Sequence, residues 1–123
     1  MKAVPAFLAA NPASPAWRSP LRRALAGAPP AIADVSALAD ERQVAAVGPA
    51  AGVAGIEIAA PEAEHLLRRV TDLDLEALPA VGAVAHVQAL VVREAPGRVR
   101  LWFPQEYADY VAEVVLDAWE GLR

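Results

Sequence analysis

The C-terminal third of the chain, residues 83–122, most constrains the fold because three local signals follow one another without a break. An apolar run rich in β-branched residues predicts a strand over residues 85–93, and Pro96-Gly97 predicts the turn that follows. Residues 98–103 predict the returning strand. Pro104 ends that strand, since proline suits the first turn of a helix. We therefore expect a β-hairpin that leads directly into a helix.

The helix after this hairpin is predicted to be amphipathic. From Tyr107 onward, apolar residues recur at helical spacing, at positions 107, 110, 111, 114, 115, 118, 119 and 122. We expect this stripe to pack on the core. The acidic residues of the segment share the other face: Glu106, Asp109, Glu113, Asp117 and Glu120. Such a row is usually a solvated face, and a contact with a basic partner is the alternative.

Upstream of the hairpin, residues 41–47 and 53–59 predict two strands, and Gly55 indicates a bulge or a close backbone approach. Residues 61–70 predict a helix with acids in the first turn and arginines in the last, as the helix dipole favours. Residues 71–82 are expected to form an ordered loop.

The resulting order β-β-α-β-β-α predicts a small α+β fold. We expect a two-layer sandwich in which an antiparallel or mixed sheet carries its two main helices, 61–70 and 104–122, on one face. Residues 17–123 are expected to form this single domain. A short helix is predicted between Pro20 and Gly27. Residues 1–16, rich in proline and alanine, predict an extended or disordered arm.

Charge and composition restrict the function. The net charge of −4 argues against nucleic acid as a partner, because phosphate binding needs a basic stripe. The chain has no cysteine, which excludes disulfides and thiolate metal sites and is compatible with the cytoplasm, our expected location. No apolar run approaches the length of a membrane span, so we expect no membrane insertion.

The side chains offer few catalytic patterns. His65 is expected at the surface and His86 within a strand, where it either lines a pocket or bonds at the sheet edge. With no compact His/carboxylate motif, no metal site is predicted. Asp72 and Asp74 are spaced as residues that accept backbone N–H groups in a turn. No serine carries a nucleophile motif, so no catalytic residue is assigned.

Aromatic residues gather where the last strand meets the last helix: Trp102, Phe103, Tyr107 and Tyr110. Most of them are expected in the core. An exposed subset would form an anchor for a partner protein.

Several segments together resemble a known family: RSPL at 18–21, DVS at 34–36, IEIAAPEAEHLLRRV at 56–70, TDLDLEALPAVGAVAHV at 71–87, LWFP at 101–104 and QEYADYVAEVVLDA at 105–118. They resemble the gamma subunits of heterotetrameric sarcosine oxidase, within the folate-binding superfamily of the glycine-cleavage aminomethyltransferases. The transferases carry paired aspartates, one of them catalytic, in a Gly-rich segment after the strand that follows this loop. Here residues 87–93 run straight to a turn, which argues against aminomethyl transfer.

The resemblance implies a non-catalytic accessory subunit of a sarcosine-oxidase-like, amine-oxidising flavoenzyme complex. Flavin is then expected only on the larger oxidase subunits, and the chain alone is expected to hold no cofactor, with tetrahydrofolate as a candidate ligand. The resemblance places Asp74 and His86 at positions of a vestigial ligand site. We expect partner contacts at Trp102, Glu106, Tyr107, Asp109 and Glu113.

Two alternatives stay open from the sequence. One is a stand-alone folate or small-molecule binding protein, or an aminomethyltransferase-like enzyme, in which Asp74 and His86 contact the ligand. The other is a small self-associating interaction module.

Overall fold

The structure of the chain is a computed structural model that describes residues 20–47 and 52–122. The arm predicted at residues 1–16 lies outside the described residues. The helices are α1 (Pro20–Ala24), α2 (Glu41–Val47), α3 (Ala63–Val70) and α4 (Ala108–Gly121). The strands are β1 (Ile32–Asp34), β2 (Val53–Ala59), β3 (Ala80–Val84), β4 (Val87–Ala95) and β5 (Arg98–Pro104).

The strands form one five-stranded sheet in the order β1-β2-β5-β4-β3, and every neighbouring pair is antiparallel. Strand β5 therefore lies at the centre. It pairs with β4 through the predicted Pro96-Gly97 turn and with β2, which lies far away in the sequence. The α+β prediction is confirmed, and the sheet is antiparallel rather than mixed.

The main core lies between one face of the sheet and three helices, α1, α3 and α4. Alternate residues of the central strands point to it, including Ile56, Ile58, Val99 and Leu101, and each of these four is fully buried. The helices contribute Leu21, Leu66, Leu67, Val111 and Val115 to the same cluster. Both main helices thus lie on one face, as predicted.

The opposite face is covered in part by α2. Trp102 lies between two core residues of β5, so its side chain points away from the main core. It is nevertheless only 1% exposed. Helix α2 contacts β2, β4 and β5 and buries Gln43 and Val47, so we assign it as the cover over Trp102.

The strand predicted over residues 41–47 is wrong, because α2 begins with a capping box. The Asp40 carboxylate accepts the backbone N–H of Arg42 at 2.9 Å, and the Gln43 side chain accepts the N–H of Asp40 at 2.6 Å. These reciprocal bonds satisfy N–H groups that a free helix end leaves unpaired. The Asp-Glu-Arg-Gln sequence at 40–43 is the signal for this helix start. It outweighed the preference of the valines in the segment for a strand.

Two short strands lie outside the segments that the sequence predicts as strands. Residues 32–39 contain β1, which pairs with β2 and is followed by Ser36, whose Oγ accepts the Gly55 N–H at 2.9 Å. Residues 71–82 contain the start of β3, which pairs with β4. The strand predicted over residues 85–93 is therefore displaced: Ala85 and His86 form the turn between β3 and β4.

An ion pair ties β4 to the helical layer. Arg93 Nε donates to Glu64 Oε2 of α3 at 2.8 Å, and Arg93 Nη2 donates to the Leu75 carbonyl at 2.7 Å. Leu75 begins a short 3-10 turn after α3 and is buried in the core. One arginine thus joins a strand, a helix and a loop.

Candidate functional site

The β3–β4 turn positions the first candidate, His86, in an unusual backbone conformation. Both turn residues have positive φ, +53° at Ala85 and +67° at His86. A two-residue hairpin turn of this type matches the twist of its strands, yet it favours Asn and Gly because left-handed φ crowds a Cβ. The Ala85 N–H donates to the Val70 carbonyl at 2.7 Å, which fastens the turn to the end of α3.

A cleft lies between this turn and the C-terminal end of α3. Its volume is about 220 Å³, and it is lined by Arg68, Arg69, Val70, Thr71, Asp72, Ala83, Ala85 and His86. Its polar lining residues are Arg68, Arg69, Thr71, Asp72 and His86. We call this the arginine cleft.

Thr71 fixes the wall of the arginine cleft. Its Oγ1 donates to the Ala83 carbonyl at 2.7 Å and accepts the Leu73 N–H at 3.1 Å, while its own N–H donates to the Leu67 carbonyl at 3.0 Å. These bonds hold the segment after α3 against the edge strand β3. The cleft is therefore built on paired backbone rather than on a free loop.

The cations of the cleft lack ionic partners within the described part of the chain. Elsewhere Arg42, Arg93 and Arg100 each pair with a carboxylate. Arg68 and Arg69 make no ion pair among residues 20–47 and 52–122. Arg69 reaches α4, since its Nη1 lies 2.9 Å from the position that a Cβ on Gly121 would take.

The two predicted ligand residues are not brought to one site. His86 is exposed and lines the arginine cleft. Asp74 does not line it; its Oδ1 accepts the Glu76 N–H at 2.9 Å and caps the 3-10 turn, the structural role expected of this aspartate. Asp72 is the carboxylate that lines the cleft.

The sequence pattern places Arg68 and Arg69 at the helix end that the helix dipole favours for cations, and it does not show that His86 lies beside them. The available signal was the adjacent pair of arginines at the end of a helix. Their proximity to the turn depends on the pairing of β3 with β4, and the prediction lacked β3.

The second candidate is the exposed side of α4 and of the 3-10 turn before it. Tyr107 is 44% and Tyr110 43% exposed, so the prediction that both face the core is wrong. The buried side of α4 consists of Ala108, Val111, Ala112 and Val115. The two tyrosines instead share the outer side with Glu106, Asp109 and Glu113, all exposed, and we call these five residues the tyrosine–acid surface.

Trp102 does not belong to this surface. Its side chain is buried against the sheet, so the predicted partner contact at Trp102 is wrong for this structure. The reason is that neighbouring residues of a strand point to opposite faces of the sheet. Leu101 and Phe103 point to the main core, so the ring of Trp102 lies on the other face, under α2. Its indole Nε1 is buried without a hydrogen-bond partner among the described residues.

Two further properties bear on the class of site. Within residues 20–47 and 52–122, no group of three or more His, Asp or Glu side chains is arranged to hold a metal ion. None of the helices in the same residues is long and apolar enough to cross a membrane.

Fold and surfaces together define a small antiparallel α+β domain with one basic cleft and one tyrosine–acid surface. Comparison of the chain with protein-family models, with curated proteins and with solved structures finds no match. The resemblance to the gamma subunits of sarcosine oxidase therefore stays a prediction.

Proposed function

We propose that this chain is a non-catalytic, gamma-type accessory subunit of a sarcosine-oxidase-like flavoenzyme complex that oxidises amines. The tyrosine–acid surface is the contact to a larger, flavin-bearing oxidase subunit. The exposure of Tyr107 and Tyr110, on the outer side of α4 and of the 3-10 turn before it, is the observation that carries this assignment.

Exposed tyrosines at helical spacing suit a protein interface. Tyrosine is enriched among the residues that contribute most to binding, because its ring buries a large area and its hydroxyl keeps a polar partner. Glu106, Asp109 and Glu113 add exposed negative charge to the same surface. Such charge favours a basic partner surface and raises the rate of encounter.

The hairpin supports a role without catalysis. Strand β4 runs from Val87 to Ala95, and Pro96-Gly97 alone connects it to β5. This connection has no space for the Gly-rich segment whose paired aspartates serve the related transferases. A fold does not determine a function by itself, so the proposal depends on the surface and not on the α+β class.

The same proposal places the protein in the cytoplasm and leaves flavin on the partner subunits. The absence of cysteine is compatible with a reducing compartment. The chain contributes surface to the complex and no redox group.

Co-purification under native conditions tests the proposal. The full chain, tagged at one end, is recovered from its source cells, and the eluate is assayed for bound flavin and for amine oxidation. We expect larger flavin-bearing chains in fixed ratio with the tagged chain. A chain that elutes alone, without flavin, overturns the accessory-subunit assignment.

Surface variants then test the contact. Tyr107→Ala with Tyr110→Ala is expected to weaken capture at least about tenfold, the effect of losing interface aromatic anchors. The matched control is Glu62→Lys, an exposed acid outside the tyrosine–acid surface. Full capture by the tyrosine variant would refute the tyrosine–acid surface as the contact and remove the observation on which the proposal depends.

Tetrahydrofolate binding is the second function to test, because His86 lines a cleft. The cleft of about 220 Å³ is smaller than the roughly 300–1,000 Å³ of sites for drug-sized ligands, so it does not favour a pterin with its side chain. Calorimetric titration of the full chain with tetrahydrofolate measures this directly. Saturable heat at millimolar ligand would favour the binding-protein alternative over the accessory subunit.

A further inference from the structure

We infer that the arginine cleft binds a small oxyanion, a carboxylate or a phosphate, through Arg68, Arg69 and His86. This inference is independent of the proposed complex, because the cleft lies at the β3–β4 turn and its lining shares no residue with the tyrosine–acid surface.

Charge is the first argument. Two arginines and one histidine line the cleft, and Asp72 is the one acidic residue among its lining residues. Neither arginine pairs with a carboxylate among the described residues, and the Arg69 guanidinium lies beside Gly121 of α4. A guanidinium group presents parallel N–H donors that match the two oxygens of a carboxylate or phosphate.

The second argument concerns the acceptors nearby. The C-terminal end of a helix normally presents unpaired carbonyl groups, which repel an anion. Here the Val70 carbonyl accepts the Ala85 N–H at 2.7 Å, and the Leu67 carbonyl accepts the Thr71 N–H at 3.0 Å. The Ala83 carbonyl accepts the Thr71 hydroxyl at 2.7 Å. These three carbonyl groups are therefore already hydrogen-bonded, which weakens the repulsion of an anion at this helix end.

The turn gives a third argument. Left-handed φ costs a non-glycine residue roughly 1–2 kcal/mol, and Ala85 and His86 both adopt it. Asn-Gly would form the same turn without this strain. In this chain the turn keeps its strained backbone, and its second residue is a histidine that lines the cleft. Strain of this kind concentrates at functional sites.

Size defines the ligand class. The volume of about 220 Å³ lies below the roughly 300–1,000 Å³ of sites for drug-sized ligands, which favours a small ligand. Inorganic phosphate or a short dicarboxylate fits this space.

NMR titration of the full, isotope-labelled chain tests the site. Sodium phosphate and sodium succinate are added in separate titrations, with sodium chloride adjusted to hold ionic strength constant. We expect saturable shifts of the backbone amides of Thr71, Asp72 and His86 in at least one titration, with a Kd of about 1 mM. The stronger of the two titrations distinguishes phosphate from carboxylate as the preferred group.

Four variants separate a site from general charge attraction. Arg68→Ala is expected to weaken binding about tenfold, and Asp72→Asn to strengthen it about fivefold by removing a nearby negative charge. His86→Asn keeps a residue that tolerates the turn but removes the imidazole, and it should weaken binding about threefold. The matched control is Arg98→Ala, an exposed arginine at the opposite end of the hairpin strands, which should bind as the wild type does.

Three results would overturn the inference. The first is no shift up to tens of millimolar ligand in either titration. The second is a set of linear, unsaturated shifts spread over the surface. The third is equal weakening in Arg68→Ala and Arg98→Ala. Because each mutated side chain is exposed, the amide spectrum of every variant is expected to keep the wild-type fold.

Discussion

The packing of Trp102 on Gly55 makes a sharp prediction about stability. The two residues are direct partners across β2 and β5, and the glycine leaves the space that the indole ring fills. A Cβ built on Gly55 would lie 2.6 Å from Trp102 Cε3 and 3.0 Å from Cη2, with Cζ3 closer still. Gly55→Ala therefore forces the ring to move by about 1 Å to regain ordinary van der Waals contact at about 3.5 Å.

The magnitude follows from two opposing effects. Replacing glycine with alanine inside a strand normally gains about 0.5–1 kcal/mol, because the unfolded chain loses freedom. Overpacking a well-filled core costs about 1–3 kcal/mol or more. Trp102 is 1% exposed, so its ring cannot move without displacing its cover. We expect Gly55→Ala to lower the free energy of unfolding by about 2 kcal/mol.

Urea unfolding followed by far-UV circular dichroism measures this loss, and a double-mutant cycle assigns its cause. In a Trp102→Leu background the added methyl group has space, so Gly55→Ala should cost less than about 0.5 kcal/mol there. The matched control is Gly82→Ala, where the nearest atoms belong to the flexible, half-buried end of Leu73. An equal loss in both backgrounds, or no loss at all, would refute the packing argument.

Three smaller predictions concern individual polar residues. Arg93→Ala should lower the free energy of unfolding by about 1 kcal/mol in urea titrations, since its partly exposed ion pair with Glu64 is screened by water. Part of this loss should vanish in high salt. His86→Gly should instead raise that free energy by about 0.5 kcal/mol, as relief of left-handed strain exceeds the entropy of glycine; a measured loss contradicts this. The side-chain and backbone N–H groups of Arg42 lower the pKa of the Asp40 carboxyl, so stability from this carboxylate is present at neutral pH and is lost as pH falls through the lowered pKa. In Arg42→Ala, NMR titration should find the pKa of Asp40 closer to its ordinary value, and an unchanged pKa would refute this cause.

The helices that carry charge or periodicity were predictable from sequence. Helix α3 shows acids before arginines, and α4 repeats apolar residues at helical spacing. The predicted apolar stripe of α4 is nevertheless wider than the side of the helix that is buried, because it includes Tyr107 and Tyr110. Tyrosine has an apolar ring that fits such a stripe, but its hydroxyl group tolerates water. Composition alone does not fix where an amphipathic stripe ends.

The arginine cleft was not predictable, and its turn explains why. Ala85-His86 contains neither Asn nor Gly, so the usual signal of a two-residue hairpin turn is missing. Strand β3, with small residues around Gly82, resembles a loop in its composition. A residue pair that violates local preference can be recognised only once the strands on both sides are known.

The central place of β5 has a consequence for the order of folding. Strands β3, β4 and β5 are joined by short turns, whereas β2 pairs with β5 across α3 and both hairpins, as in Val53 with Pro104. Closing the longer loop costs more entropy before its contacts form, so we predict that the β3-β4-β5 meander forms first. Val91→Ala should then slow folding, while Ile58→Ala should mainly speed unfolding, in stopped-flow measurements on each variant. The reverse pattern would mean that β2 docks on β5 early. The pairing of β2 with β5 would then belong to the folding nucleus, and the β3-β4-β5 meander would be completed later.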